Sequence, residues 1–473
     1  MHASHLAVLR TAAPVALAAF LASAARADDL ADLRRDQEEL RRLVESQQKE
    51  IDRLRASSAR GGDAGADLGA MIDELAKRAD GPGLVTWKQL TRQGSKFTLY
   101  GFVRLDVQHD GSRMNSTQLP VWVRSEDPTA PASIGAPRNE PDLNMHTKLT
   151  RLGLDFDGPV VDGLGGAKIT GKLETDFYNA TTTSSRPALR IRHAWVKMAW
   201  CDSEYSVLAG QSQELISPLN PAVNNDMVMW GAGNLGDRRP QIRAEWAPSL
   251  NDGAKLFVQG MMGDTGAIDG KDLDAAGTTG AGFLDGQMSG RPTWQGRVAL
   301  RVKNWDEKDA ELGLWMHTAS EQQDADVGSQ AQRKSRAVGL DIKLPLLSDQ
   351  IWIQGEFWRG QNLADVRGGI LQSVNTTTGE SIHSRGGFAE LGWKAAPWLT
   401  TYAGYSYDDP ENSDLEAGGV TGGRARNRVV YLAARISVDP MDFGVVWLHW
   451  KSEFIGFKDG TNDRIVAFVA YKF

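Results

Sequence analysis

The chain ends in Arg464-Ile465-Val466-Ala467-Phe468-Val469-Ala470-Tyr471-Lys472-Phe473. Read backwards from Phe473, every second residue is apolar: Tyr471, Val469, Ala467 and Ile465. Lys472 lies on the opposite face. A period of two is that of a β-strand with one face in an apolar medium. One such strand leaves two readings open. It is an ordinary half-buried strand that happens to close the chain, or a strand whose apolar face meets lipid.

The rest of the sequence bears on that choice. From residue 97 the same alternation returns again and again. Phe97, Leu99, Val103, Leu105 and Val107 oppose Thr98, Tyr100, Arg104, Asp106 and Gln108. Leu152, Leu154 and Phe156 oppose Arg151 and Asp155; Ile169, Leu173 and Phe177 oppose Lys168, Lys172, Glu174 and Asp176. Ile242, Ala244 and Trp246 oppose Arg243 and Glu245. About sixteen segments follow this pattern, at 97–108, 146–157, 166–178, 189–200, 204–212, 238–247, 254–263, 292–303, 310–319, 335–344, 350–359, 386–395, 399–408, 427–437, 442–452 and 463–473. Each is near the ~9–11 residues a tilted strand needs to cross hydrocarbon. Tight turns such as Cys201–Glu204 and Ala396–Trp398 alternate with long connections at 109–145, 213–237, 264–291, 320–334, 360–385 and 409–426. Long loops at one end and short turns at the other fit a transmembrane barrel with an even strand count.

Charge placement supports the same architecture. In a soluble sheet packed with its polar face inward, Arg104, Arg151, Lys172 and Arg243 would be buried without partners at high cost. In lipid the faces exchange roles: apolar side chains meet acyl chains and charged ones line a wet lumen. Trp200, Trp246, Trp294, Tyr405, Tyr407, Trp450 and Tyr471 are candidates for aromatic girdles at the lipid–water interfaces.

The first 95 residues are different. Residues 1–27 hold Arg10, a small-residue apolar run from Thr11 to Ala22, and Ala25-Arg26-Ala27 before Asp28, the pattern of a secretory signal. The run is too short to span a bilayer as a helix, and no later stretch has the length and apolarity of a transmembrane helix. Residues 28–56 carry a heptad pattern, with Leu30, Gln37, Val44 and Ile51 at a and Leu33, Leu40, Gln47 and Leu54 at d. A periplasmic coiled coil joining copies of the chain is expected; a single amphipathic helix on another surface is the alternative. Residues 57–95, with Gly61-Gly62 and Gly81-Pro82-Gly83, read as a linker, and 96–473 as the barrel.

The formal charge of −7 becomes −9 once 1–27, with Arg10 and Arg26 and no acids, is removed. That is no nucleic-acid footprint. The lone Cys201 cannot form an internal disulfide, and nothing calls for a cofactor or a metal: Asp269-Gly270-Lys271-Asp272-Leu273-Asp274 lacks the spacing of an EF-hand loop. His193, His317 and His449 lack a nearby nucleophile motif, so an enzyme is not expected.

The candidate selectivity residues are Arg104, Arg151 and Lys172, on consecutive strands and on the polar face, with Asp106 and Arg243 beside the lumen and Arg192 on a strand of ambiguous parity. A basic ladder in a narrow pore concentrates anions. The alternative is that Asp106, Asp155, Glu174 and Asp176 neutralise it in salt bridges.

The terminal strand closing on an aromatic residue resembles the last strand of bacterial outer-membrane barrels. The signal, the heptads after it, Phe97-Thr98-Leu99-Tyr100-Gly101-Phe102-Val103-Arg104-Leu105-Asp106, Arg190-Ile191-Arg192-His193-Ala194 and Tyr471-Lys472-Phe473 together resemble the DcaP-like outer-membrane porins. That resemblance implies a sixteen-stranded homotrimeric barrel in the Gram-negative outer membrane, with periplasmic coiled coils. It also implies passive uptake of small, often anionic solutes such as dicarboxylates. In porins the third long loop commonly folds back into the lumen. The loop at that position here is 213–237, with Glu214, Asn224, Asn225 and Asp226; a solvent-exposed loop is the other reading. A structural role, with the coiled coil gripping peptidoglycan and the barrel an anchor in outer-membrane lipid, is the rival function.

Overall fold

The computed structural model describes residues 95–473 except 137, 179–182, 224–228, 273–283, 328–329 and 417–422. The signal, coiled coil and linker expected in residues 1–94 lie outside the described residues.

The strands are β1 (Lys96–Asp110), β2 (Asp142–His146), β3 (Arg151–Val161), β4 (Ala167–Asp176), β5 (Arg190–Trp200), β6 (Tyr205–Gln213), β7 (Arg238–Trp246), β8 (Ser249–Asn251) and β9 (Ala254–Gly263). Then come β10 (Thr293–Lys303), β11 (Asp309–Val327), β12 (Gln330–Leu346), β13 (Ile351–Gln361), β14 (His383–Ala396), β15 (Leu399–Pro410), β16 (Arg424–Val438), β17 (Met441–Phe454) and β18 (Phe457–Lys472). Neighbours in sequence pair antiparallel, and β1 pairs with both β3 and β18, so the sheet closes. β2 continues the line of β3 across a break at 147–150 and pairs with the far half of β1, and β8 is a three-residue piece in the turn before β9. The result is a 16-stranded antiparallel closed β-barrel.

The terminal stretch makes the seam. Phe102 to Asp110 run opposite Lys472 to Arg464. Phe473 N–H donates to the Gly101 carbonyl at 3.1 Å, and Gly101 N–H donates back to the Phe473 carbonyl at 3.2 Å. A Cβ on Gly101 would lie 2.3 Å from the Arg151 carbonyl oxygen and 2.8 Å from the Phe473 ring, so only glycine lets the last residue seat against the first strand. Closure leaves no strand edge to be satisfied by water.

Side-chain parity follows the expected inversion. Leu99, Val103, Leu152, Leu173, Ile242, Val298, Leu314, Phe357, Leu432 and Ile465 all point outward and are exposed. Asp106, Glu174, Arg192, Arg297, Asp341, Glu390 and Arg464 point inward and are buried. Trp246, Trp294, Tyr405 and Tyr471 are exposed on the outer wall, as girdle residues should be. Trp450 is a correction. It lies on the inward parity of β17, between outward Trp447 and His449 on one side and Lys451 on the other, and is 1% exposed among apolar inner-wall residues.

The expected loop 320–334 is a second correction. Gln322 pairs with Gln332 and Val327 with Gln330, so β11 and β12 run on as a long hairpin beyond the membrane-length segment. Its polar alternation lacks the apolar face used to delimit strands. The ambiguous parity around Arg192 also has a cause. Glu174 pairs with His193 and Thr175 with Ile191, leaving Arg192 as an extra residue in a β-bulge. Arg192 and His193 therefore both reach the interior side, and Ile191 and Val196 still face out.

A charge on the outer wall should cost far more than one on the inner wall. Leu314→Lys, mid-strand and outward, is expected to lower barrel stability in bilayers by about 2–4 kcal/mol. Thr170→Lys, on the inward parity of β4, should cost less than about 1 kcal/mol. Urea titration of reconstituted protein compares the two.

Candidate pore constriction

The connection between β6 and β7 crosses the interior. Leu219 N–H donates to Glu356 Oε1 on β13 at 2.7 Å, and Ala222 N–H to Glu390 Oε2 on β14 at 2.6 Å. Arg435 on β16 donates to the Val223 carbonyl at 3.2 Å. On the return, Asn427 Nδ2 donates to the Gly231 carbonyl at 2.6 Å and Trp358 Nε1 to the Gly233 carbonyl at 2.7 Å. Every one of these strand groups points inward.

The attraction behind this path is apolar. β16–β18 carry Val429, Tyr431, Ala433, Val446, Leu448, Trp450 and Val466 on the lumen side, all buried. Uncovered, that wall would be wet grease. Val223, Met229 and Ala232 of the loop cover it, with Met114 and Val123 from the first long loop. Ile216 and Leu235 pack on Trp315, Ala337 and Trp358, and a third loop, 362–382, adds Leu363 and Val366. Trp230, Val121 and Ile370 join all three loops in one cluster. One sector of the barrel is thereby filled and dry.

Ion pairs fasten the loops at their roots. Arg239 is fully buried and contacts Glu214 at 2.7 Å and Asp365 at 3.0 Å. Asp365 also accepts backbone N–H bonds from Gly266, Ile268 and Asp269, tying loop 362–382 to loop 264–292. Burial works against ionised Asp365, but Arg239 and those N–H donors prevail and hold its carboxyl below the ordinary range. Asp269 is the reverse case: burial, with Asp365 and Glu321 nearby, outweighs Lys271 and raises its carboxyl to about 7. Arg367 links loop 362–382 to the β6–β7 loop through Asp237 at 2.7 Å and lies 4.6 Å over the Trp230 ring.

What remains open next to the loop is lined by arginines. Arg151, Arg192, Arg238 and Arg435, with Tyr402, face the loop segment 220–223 across a cavity of about 330 Å³. Arg104 extends the basic wall: its guanidinium lies 3.9 Å over Phe468, and that of Arg435 is 5.9 Å from the same ring. Acids pair with much of this wall. Asp106 pairs with Arg104 at 2.5 Å, and Lys172 pairs with Asp155 at 2.9 Å. Glu174 and Asp176 are shared among Arg151, Arg190 and Arg192, and Asp237 between Arg238 and Arg367. Arg435 has no carboxylate in an ion pair among the described residues, and its Nε is buried without a hydrogen-bond partner.

The sequence-derived set thus divides. Arg151 and Arg192 meet at the cavity, and Arg104 stands beside it. Lys172 does not line the cavity; it pairs with Asp155 and with Tyr100, whose hydroxyl donates to Glu174. Arg243 is engaged by Gln241 and the Gln213 carbonyl. Glu214 is buried at the loop root with Arg239 and presents no charge to the lumen. Asn224, Asn225 and Asp226 lie outside the described residues. Arg238 and Arg435 were missed. Arg238 is the first residue of its strand, at a loop root. Arg435 follows a stretch in which Val429, Tyr431 and Ala433 make the inward face apolar, so alternation carried no sign of its direction.

No protein-family model and no curated protein matches the sequence. Solved structures do match. The outer membrane channel DcaP of Acinetobacter baumannii is 18% identical, with 81% of this chain covering 99% of that one at a TM-score of 0.59. An anion-selective porin from Comamonas acidovorans is 12% identical, with 80% of this chain covering 100% of that one at a TM-score of 0.50. At these identities the likeness is one of fold: the chain has a porin-type barrel.

Two outcomes follow from the loop anchors. Asp365→Ala leaves buried Arg239 short of a partner and should cost about 3–5 kcal/mol locally. Hydrogen exchange at Gly266, Ile268 and Asp269 should accelerate while the barrel strands stay protected. A carboxyl raised in the folded state stabilises at low pH and loses that contribution as pH rises through its folded value. Exchange over 264–272, corrected for intrinsic rate, should therefore speed up as pH passes from about 5 to about 8, and Asp269→Asn should flatten that response.

Proposed function

We propose that the chain is an outer-membrane porin, a passive water-filled channel for small hydrophilic solutes with a preference for anions such as dicarboxylates. The observation that carries the reading is the cavity where Arg151, Arg192, Arg238 and Arg435 face the inward-folded loop. A guanidinium wall in a narrow, partly desolvated pore raises the local concentration of anions and offers paired donors to carboxylates. Glu174 and Asp176 orient Arg151 and Arg192, while Arg435, with no carboxylate in an ion pair among the described residues, lines the same cavity. The barrel fold shared with a known outer-membrane channel and an anion-selective porin supports the same reading. In it, the long loops face outside, the coiled coil lies in the periplasm and joins three copies, and any grip on peptidoglycan is secondary to transport.

Reconstitution in a planar bilayer tests this. Stepwise currents are expected, with a reversal potential across a potassium chloride gradient that favours chloride. Arg435→Ala combined with Arg151→Ala should move the reversal potential toward cations, and Lys172→Ala, already paired away, should not. A barrel that carries no current, or one whose selectivity ignores both arginines, would sink the proposal.

A further inference from the structure

The outer wall carries a second basic site, on the lipid-facing side of β12–β14. Along β12 the outward residues are Ile342, Leu340 and Val338, then abruptly Arg336 and Lys334. On β13 outward Ile353 and Phe357 give way to Arg359; on β14 Trp393, Leu391 and Ala389 give way, past Gly387, to Arg385 and His383. The register puts these changes at one level. Val338 pairs with Arg359, Arg359 with Arg385, and Arg336 with Gln361. The three arginines stand just beyond the apolar band, at the long-loop end, on strands about 4.8 Å apart.

This arrangement is costly as it stands. Arg359 and Arg385 are direct cross-strand neighbours, and like charges so placed repel. Arg385 is relieved by Asp409 at 2.9 Å, but Asp409 also serves Arg426 at 2.6 Å. Glu411 is nearby, and His383 pairs with Asp414 at 2.8 Å. Neither Arg336 nor Arg359 has an ion-pair partner among the described residues, and both line an open groove of about 800 Å³ with Met316 and Val338 on its floor. Cations above, continuous apolar wall below: the complement is an anionic amphiphile, not a free anion.

The geometry points to a docking site for a phosphorylated lipid of the outer leaflet, its phosphate held by Arg336 and Arg359 and its acyl chains laid over Val338, Leu340 and Phe357. The inference rests on the outer-membrane reading only for the leaflet that the long-loop end faces. Guanidinium–phosphate pairs in the headgroup layer are strong and geometrically specific, and each cation near a charged lipid surface adds roughly 1 kcal/mol, a factor of about five.

Full-length protein purified in mild detergent and mixed with diphosphoryl lipid A tests the site, with native mass spectrometry counting lipid per chain. Wild type should retain the lipid; Arg336→Gln combined with Arg359→Gln should weaken retention by about tenfold or more. Dephosphorylated lipid A and inorganic phosphate should not be retained. The double variant should conduct with an unchanged reversal potential, because both residues face away from the lumen. Undiminished retention by the double variant would overturn the site, as would equal binding of dephosphorylated lipid or of inorganic phosphate. So would a loss of oligomeric state with lipid binding intact, which would make the patch a contact between copies. Arginine-dependent lipid retention by a barrel that passes no current would leave this inference standing and remove the channel.

Discussion

Everything in this molecule is subordinate to one requirement: in hydrocarbon, each backbone N–H and C=O must find its partner within the protein. A sheet meets it only by closing, and closure here is the pairing of β1 with β18, ended by Gly101 and Phe473 exchanging backbone bonds. The requirement demands a ring without edges, and the apolar solvent around that ring inverts inside and outside. Once the ring is shut, period two divides every strand into a face for lipid and a face for the lumen, and a single-residue slip would exchange them. The bulge at Arg192 shows how this rule is bent locally without breaking the ring.

A closed barrel of this width has a second problem, its interior. The middle of the lumen face of β16–β18 is apolar, flanked by Arg435, Asn427 and Arg464, whereas that of β1–β7 is charged. The apolar sector draws three loops inward and becomes a core; the charged sector is left as the water path. Buried pairs such as Arg239 with Glu214 and Asp365 hold the loops by their roots and specify their position more than they stabilise the fold, since desolvation consumes much of their attraction. The arginine-lined cavity then arises at a boundary, where the edge of the loop core meets the charged wall.

The outer wall repeats that logic in another solvent. Its apolar band ends sharply at Arg336, Arg359 and Arg385, because a charge is tolerated only where the headgroups begin. Two basic surfaces result, one enclosed and one facing lipid, on different strands of the ring. Opposite parity keeps them apart: Arg151 and Arg435 belong to the lumen, Arg336 and Arg359 to the membrane.

Sequence alone determined the strands, their even number, the wet and dry faces and the alternation of long and short connections, because period two and turn chemistry are local properties. It also placed Arg104, Arg151 and Lys172 on the lumen side. It was silent on which of them remains available to a solute. That depends on carboxylates brought across strands, as Asp155 is to Lys172, and on a loop folding over residues two hundred positions away, as Val223 does to Arg435. Trp450 was misassigned for the same reason: its ring is as apolar as any girdle tryptophan, and only the packing of Val123 and Met114 against the inner wall decides that it belongs to a core. Local pattern specifies how each strand divides its side chains; the company those side chains keep is settled only when the ring has closed and its loops have turned in.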